Sequence, residues 1–114
     1  EKDMAIYSNL TIDQGSNFLV YVDITDASGN PLDLTGYTVA GQIRKTYTSL
    51  TAINFNATVN SAIDGTIALS LVDSITNGMK PGRYVYDVEI LAISGSRTRV
   101  LEGQVEVTPG VTQV

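Results

Sequence analysis

The feature that most constrains this chain is a two-residue alternation of apolar and polar side chains, renewed after each turn from residue 18 to residue 108. A strand sends successive side chains to opposite faces, so this period fits sheets with one face on a core and leaves helix little room. In Phe18-Leu19-Val20-Tyr21-Val22-Asp23-Ile24-Thr25 the residues Phe18, Val20, Val22 and Ile24 share one face, and Asp23 and Thr25 the other. The run stops at Asp26-Ala27-Ser28-Gly29-Asn30-Pro31. Gly29 and Asn30 tolerate a positive φ and Pro31 has no N–H for a ladder, so a hairpin-like reversal is expected.

From Tyr37 to Lys45 the pattern resumes, with Tyr37, Val39 and Ile43 inward and Thr38, Gln42 and Arg44 outward. Gly41 falls on the inward face and marks either a bulge or a close approach of backbone. Ile53 to Val59 alternates without a flaw, and Asp64-Gly65 joins it to Thr66–Val72, which buries Ile67, Leu69 and Leu71; together they read as a hairpin. The stretch Asp73-Ser74-Ile75-Thr76-Asn77-Gly78 has room for one helical turn, with Asp73 or Ser74 as N-cap and Gly78 as its end. Pro81-Gly82 turns the chain into Arg83–Ile93, which puts Tyr84, Tyr86, Val88 and Ile90 on one face and Val85, Asp87, Glu89 and Leu91 on the other. After Ser94-Gly95-Ser96 the last run, Arg97–Thr108, turns Leu101, Val105 and Val107 inward and Glu102, Gln104 and Glu106 outward. Residues before Thr11 and after Pro109 read as arms. Tyr7, Leu10 and Ile12 would form a short first strand or lie against a neighbouring subunit, and Val111–Val114 has no place in the core.

Short strands at spacings of about 8–12 residues predict an all-β, immunoglobulin-like antiparallel β-sandwich of about seven strands. A length of 114 residues suits a single domain over 1–114, its core at about 11–109. The Cys and Trp marks of antibody domains are absent.

The same composition narrows function. With no His and no Cys, the commonest general base, the thiol nucleophile and the usual zinc ligands are missing together. No catalytic, cofactor-binding or metal-binding residue is expected, and the chain reads as a non-enzyme. A net charge of −5 and seven scattered cations cannot make the basic stripe that nucleic acid requires. No run reaches the roughly 18 apolar residues of a membrane span. The opening Glu1-Lys2-Asp3-Met4-Ala5-Ile6 lacks the basic-then-apolar order of a signal peptide, so no membrane partner is expected. A charged fraction of 17% suits a surface partly covered by other protein.

Three constellations carry chemistry in principle. Asp87 and Glu89 project from one side of one strand, as paired acid and base would, but Arg97 and Arg99 stand across the expected hairpin and favour cross-strand ion pairs. Asp23, Asp26, Asn30 and Asp33 gather the oxygen ligands calcium accepts, yet their spacing is not that of an EF-hand and such residues also build tight turns. Six Tyr against two Phe favours contact surfaces; Tyr84 and Tyr86 fall on the core face, and Tyr21 and Tyr47 are the surface candidates, for protein or for sugar. No Gly-x-Ser-x-Gly or phosphate-loop motif is present.

Longer motifs carry a resemblance. Asp26-Ala27-Ser28-Gly29-Asn30-Pro31-Leu32-Asp33-Leu34-Thr35-Gly36-Tyr37-Thr38-Val39 with Gln42-Ile43-Arg44-Lys45 forms the first of them. Lys80-Pro81-Gly82-Arg83-Tyr84-Val85-Tyr86-Asp87-Val88-Glu89 and Arg99-Val100-Leu101-Glu102-Gly103-Gln104-Val105-Glu106-Val107-Thr108-Pro109 are the others. Across about residues 11–109 the chain resembles the short β-sandwich proteins of tailed-phage virions, such as the N-terminal domains of baseplate upper proteins. The resemblance implies a sandwich in which Leu32 and Leu34 plug one end and Gly36 permits a bend. It further implies a virion component, made in the host cytoplasm, that is attached to other tail or baseplate proteins and has no catalytic residues. Because the likeness takes up nearly the whole chain, a connector, decoration or baseplate accessory is expected rather than a fibre tip. The partners expected are other virion proteins and, through unpaired sheet edges, further copies of the chain. The alternative is an immunoglobulin-like module for carbohydrate or a cell-surface ligand.

Overall fold

The structure is a computed structural model, and it describes residues 6–111. The expectations for residues 1–5 and for the tail 112–114 lie outside the described residues. The strands are β1 (Ile6–Tyr7), β2 (Leu10–Asp13), β3 (Phe18–Asp23), β4 (Thr38–Arg44), β5 (Ile53–Asn54), β6 (Asn56–Ser61), β7 (Thr66–Leu71), β8 (Gly82–Leu91) and β9 (Arg97–Thr108). One short helix, α1 (Asp73–Asn77), joins β7 to β8. The larger sheet has the order β1-β9-β8-β4-β5, with β2 following β1 along β9; the smaller has the order β3-β7-β6. Their inner faces meet over a core that includes Ile12, Ile24, Leu34, Ile43, Ile67, Leu69, Val88 and Val105.

This is the expected all-β, immunoglobulin-like sandwich. One of its details is a hallmark of that fold: Tyr84, near the start of β8, donates its hydroxyl hydrogen bond to the carbonyl of Lys80 four residues upstream, at 2.7 Å. Two residues later, where antibody domains carry a cysteine, stands Tyr86. The faces follow the alternation, with Ile67, Leu69, Leu71, Tyr84, Tyr86, Val88, Ile90, Leu101, Val105 and Val107 all buried. Leu34 is buried and Leu32 partly so.

Side-chain pattern does not reveal strand partners, and four arrangements differ from the sequence reading. First, Asp26–Pro31 does reverse the chain locally, with a bridge between Thr25 and Pro31, but β3 and β4 lie in different sheets and form no hairpin. Second, Ile53–Val59 is not one strand. Its front end pairs with β4 in the larger sheet, and its back end, as β6, forms the expected hairpin with β7 in the smaller. Third, the short first strand expected at Tyr7, Leu10 and Ile12 does form, as β1 and β2, but these pair with β9 in parallel, unlike every other pairing among the described residues. Ile12 is wholly buried there, while Tyr7 stays exposed. Fourth, neither Asp73 nor Ser74 caps α1. Val72 holds the N-cap position, and Asn17, from the turn before β3, accepts a hydrogen bond from the Asp73 amide at 2.8 Å. Gly78 does end the helix.

Two glycines let the elements close on one another. At Phe55 the chain passes from one sheet to the other; its amide donates to the Gly41 carbonyl at 3.0 Å. Its ring lies between Phe18 of the smaller sheet, at 6.3 Å between centroids, and Tyr86 of the larger, edge-on at 6.0 Å. A Cβ on Gly41 would stand 3.1 Å from both Phe55 and Val88. The β4–β8 pairing is continuous through Gly41, so it marks a close approach and no bulge. The bulge lies elsewhere: Val88 opposes Leu101 but Glu89 opposes Arg99, which leaves Val100 as the extra residue and buries both Val100 and Leu101. On β9, a Cβ on Gly103 would run into the carbonyl of Ser8 in the link between β1 and β2. That carbonyl accepts the Tyr86 hydroxyl at 2.6 Å, and the Ser8 amide donates to the Glu102 carbonyl at 2.8 Å.

Gly103→Ala therefore has to push the link between β1 and β2 off β9. A loss of about 1–3 kcal/mol is expected, as for other overpacked sites. It should show in thermal unfolding, with early hydrogen exchange confined to the amides of residues 6–13. Gly41→Ala should cost a similar amount without loosening that edge.

Candidate functional site

The outer face of the larger sheet holds a shallow, open groove of about 670 Å³. It forms where the chain leaves β4's flank at Asn54 and Phe55 to join the smaller sheet, so that β4 and β8 become the floor. Outward positions of three strands line it: Gln42 and Arg44 from β4, Asp87 and Glu89 from β8, Arg97 and Arg99 from β9. Alternation puts these polar groups outside because their neighbours Ile43, Val88 and Val100 are in the core.

The acids are matched by arginines across the β8–β9 hairpin. Arg97 reaches Glu89 at 3.2 Å and Arg99 reaches Asp87 at 3.3 Å, the expected cross-strand pairs. Asp87 also lies directly opposite Glu102, a repulsive juxtaposition on one face of an antiparallel pair. Arg99 lies between them and contacts Glu102 as well, at 3.5 Å. The bulge at Val100 sets this up, since it brings Arg99 opposite Glu89, one step along the face from Asp87. Beside the ion pairs runs an amide network. Gln42 donates to the Asn54 side chain at 2.8 Å, and Arg44 donates to Gln42 at 2.9 Å and to the Ser49 carbonyl at 2.7 Å. Tyr47 stands at the rim with 79% of its surface exposed. Both carboxylates in the groove are thus engaged by guanidinium groups, and the groove offers hydrogen-bonding edges and an aromatic ring.

The other sequence candidates are dispersed. Asp26 accepts the amides of Ser28 and Asn30 at 2.9 and 3.0 Å and so builds its own turn. Asp33 accepts both the hydroxyl and the amide of Thr35, at 2.6 and 3.0 Å, and these bonds hold its carboxyl below the usual carboxylate range. Asp23 accepts the Thr66 hydroxyl at 3.0 Å. Among the described residues no three acids converge as metal ligands would. Tyr21 is exposed, but on the outer face of the smaller sheet, away from the groove. Sequence reasoning missed the amide network, because Asn54 meets Gln42 only through the brief β4–β5 pairing. It missed Thr76 as well, a wholly buried residue whose hydroxyl donates to the Ser16 carbonyl at 2.8 Å and accepts the Gly15 amide at 3.1 Å.

No family model matches this chain, and no curated protein does. Among solved structures, it is similar over 91% of its length to an internalin-like protein of Listeria monocytogenes, at 20% identity and a TM-score of 0.49. It is similar over 95% to a family 123 glycoside hydrolase from Clostridium perfringens, at 13% identity and a TM-score of 0.41. It spans only 28% and 24% of those two chains. It is similar over 95% of its length to a structure from work on the multimeric cell-adhesive interactions of VGSC beta subunits, and spans 97% of that chain, at 12% identity and a TM-score of 0.44. Likenesses at this level say nothing of a shared activity.

Two outcomes are expected from this geometry. Arg99→Gln should destabilise the chain by about 0.5–1 kcal/mol in urea unfolding, more than Arg97→Gln, because it leaves Asp87 and Glu102 facing each other. Adding Asp87→Asn should restore most of the loss, and high salt should shrink it. Tyr86 supplies a pH signature: burial pushes its hydroxyl from 10.0 up to about 12. The folded chain favours the neutral ring, so that stabilisation is complete below pH 10 and is lost as pH rises through about 12. The stability advantage of the wild type over Tyr86→Phe should accordingly hold at neutral pH and narrow across that window.

Proposed function

We propose that this chain is a non-enzymatic building block that works by protein–protein assembly, as a tail or baseplate accessory, connector or decoration of a phage virion. The observation that carries the assembly reading is the unequal distribution of charge. The outer positions of β8 and β9 hold Asp87, Glu89, Arg97, Arg99 and Glu102, whereas those of β3, β7 and β6 present Leu19, Tyr21, Ala68, Ser70 and Thr58 with Asp23 as their one charge. A face with a single charge at its end, carrying a Leu and a Tyr exposed by 54% and 60%, suits coverage by protein. The virion assignment rests on the resemblance in residues 26–45 and 80–109. Mass spectrometry of purified particles tests it: the chain should be present at a fixed ratio to known tail components, and its consistent absence would overturn the assignment.

A second reading, a module for carbohydrate, is favoured by one feature. Tyr47 and the planar amides of Gln42 and Asn54 meet at the same groove, and sugars are held by such combinations of ring and hydrogen-bonding edges. Glycan-array binding that disappears in Tyr47→Ala and persists in Tyr21→Ala would support it. Uniformly negative arrays would leave assembly alone.

A further inference from the structure

The edges of the two sheets are not equally protected. β6, one edge of the smaller sheet, is interrupted by a register shift between Val59 and Ser61 and turns Asn56, Thr58 and Asn60 outward. In the larger sheet, β5 is only two residues long, and β1 and β2 are short. These are ordinary ways of blunting an edge. β3 has none of them. It pairs with β7 in unbroken register from Phe18 to Asp23, has no other strand neighbour among the described residues, and contains no Lys, Pro or bulge. Leu19 and Tyr21 lie exposed on its outer side, and Phe18, Val20 and Val22 are partly buried against the core on its inner side. Its free edge is therefore a row of backbone donors and acceptors bordered by apolar groups on both faces.

We infer that β3 pairs antiparallel with β3 of a second copy across a two-fold axis, which joins two three-stranded sheets into one continuous sheet. The inference deepens the assembly reading and rests on it. An antiparallel strand is complementary to itself under two-fold rotation, so the second copy needs no other surface. Residues directly opposite one another must share a face, which puts the axis at a residue and not between two. With the axis at Val20, Leu19 faces the partner's Tyr21, Phe18 faces the partner's Val22, and Asp23 faces the partner's Asn17. With the axis at Tyr21, Leu19 would instead face the partner's Asp23. The first register matches apolar with apolar in both rows and keeps the two Asp23 carboxylates apart, despite a charge of −5 on each chain. Such an edge contact buries less than a standard interface of about 1,600 Å², so association on the order of 10–100 μM is expected.

Sedimentation velocity over a concentration series of the purified chain tests this. The wild type should pass from monomer to dimer, and Tyr21→Lys, which sets a charge on the edge, should raise the dissociation constant at least about tenfold. Tyr21 is exposed, so this variant should keep its circular dichroism and melting curve. Leu50→Lys sets the same charge at a side chain 99% exposed in the connection from β4 to β5, in the other sheet, and should leave the dimer intact. The chain has no native Cys, so the register can be read by oxidation. The double variant Leu19→Cys with Tyr21→Cys should cross-link, and either single variant should do so poorly. A monomer at all concentrations, or equal loss in Leu50→Lys, would overturn the pairing without touching the virion assay. Efficient cross-linking of Tyr21→Cys alone would overturn the register.

Discussion

The ring of Phe55 sits where the chain leaves one sheet for the other, and most of the sandwich depends on what lies beneath it. The bare Cα of Gly41 lets the ring come down between Phe18 and Tyr86, one from each sheet, and lets the Phe55 amide reach the Gly41 carbonyl. Sheets packed face to face stand about 10 Å apart, and an aromatic cluster that bridges them also holds their relative angle. The groove is a by-product of this wedge. Asn54, just before the ring, bonds to Gln42, just after the glycine, so the polar network on the outside is anchored to the same crossing as the core inside.

A second dependence runs through β9. That strand pairs with β8 along one side and with β1 and β2 along the other, and its glycine at 103 is what allows the Ser8 carbonyl to come close enough to take the Tyr86 hydroxyl. The buried phenol thus keeps a partner, as a buried polar group must, and the partner comes from the opposite end of the chain. The tyrosine corner at Tyr84 fixes the start of β8 in the same way, by tying a ring to backbone it has just left.

How much of this could be read from sequence follows from what alternation measures. It records which face a side chain occupies, and it did so correctly along β7 and β8, where every position read as inward is buried. It is blind to the identity of the neighbouring strand. The run Ile53–Val59 therefore looked unbroken although its partner changes at Phe55, and β3 and β4 looked like a hairpin although they lie in different sheets. It also fails where parity slips: the extra residue at Val100 puts two successive side chains in the core. The ion pairs of the groove were legible because a tight hairpin brings Arg97 and Arg99 beside Glu89 and Asp87. The Asn17 contact to α1 was not, since it joins residues 56 positions apart. In the acidic cluster around residues 23–33, Asp26 and Asp33 serve the turns beside them, as such residues usually do, while Asp23 bonds across to Thr66 on β7.

The parallel edge formed by β1 and β2 also has a bearing on time. The smaller sheet needs nothing beyond Leu71, and its strands can join as soon as that residue has left the ribosome, whereas Ile12 has no strand to lie against until β9 emerges. The segment of β1 and β2 is thus made well before the strand that satisfies it, its contacts reaching across 95 residues. Such distant pairings come late because the intervening chain must first be ordered. For the whole of that interval a nascent molecule would show the unpaired Leu10 and Ile12 beside a half-built sandwich, which is the stage at which a chain of this topology most needs shelter from its neighbours.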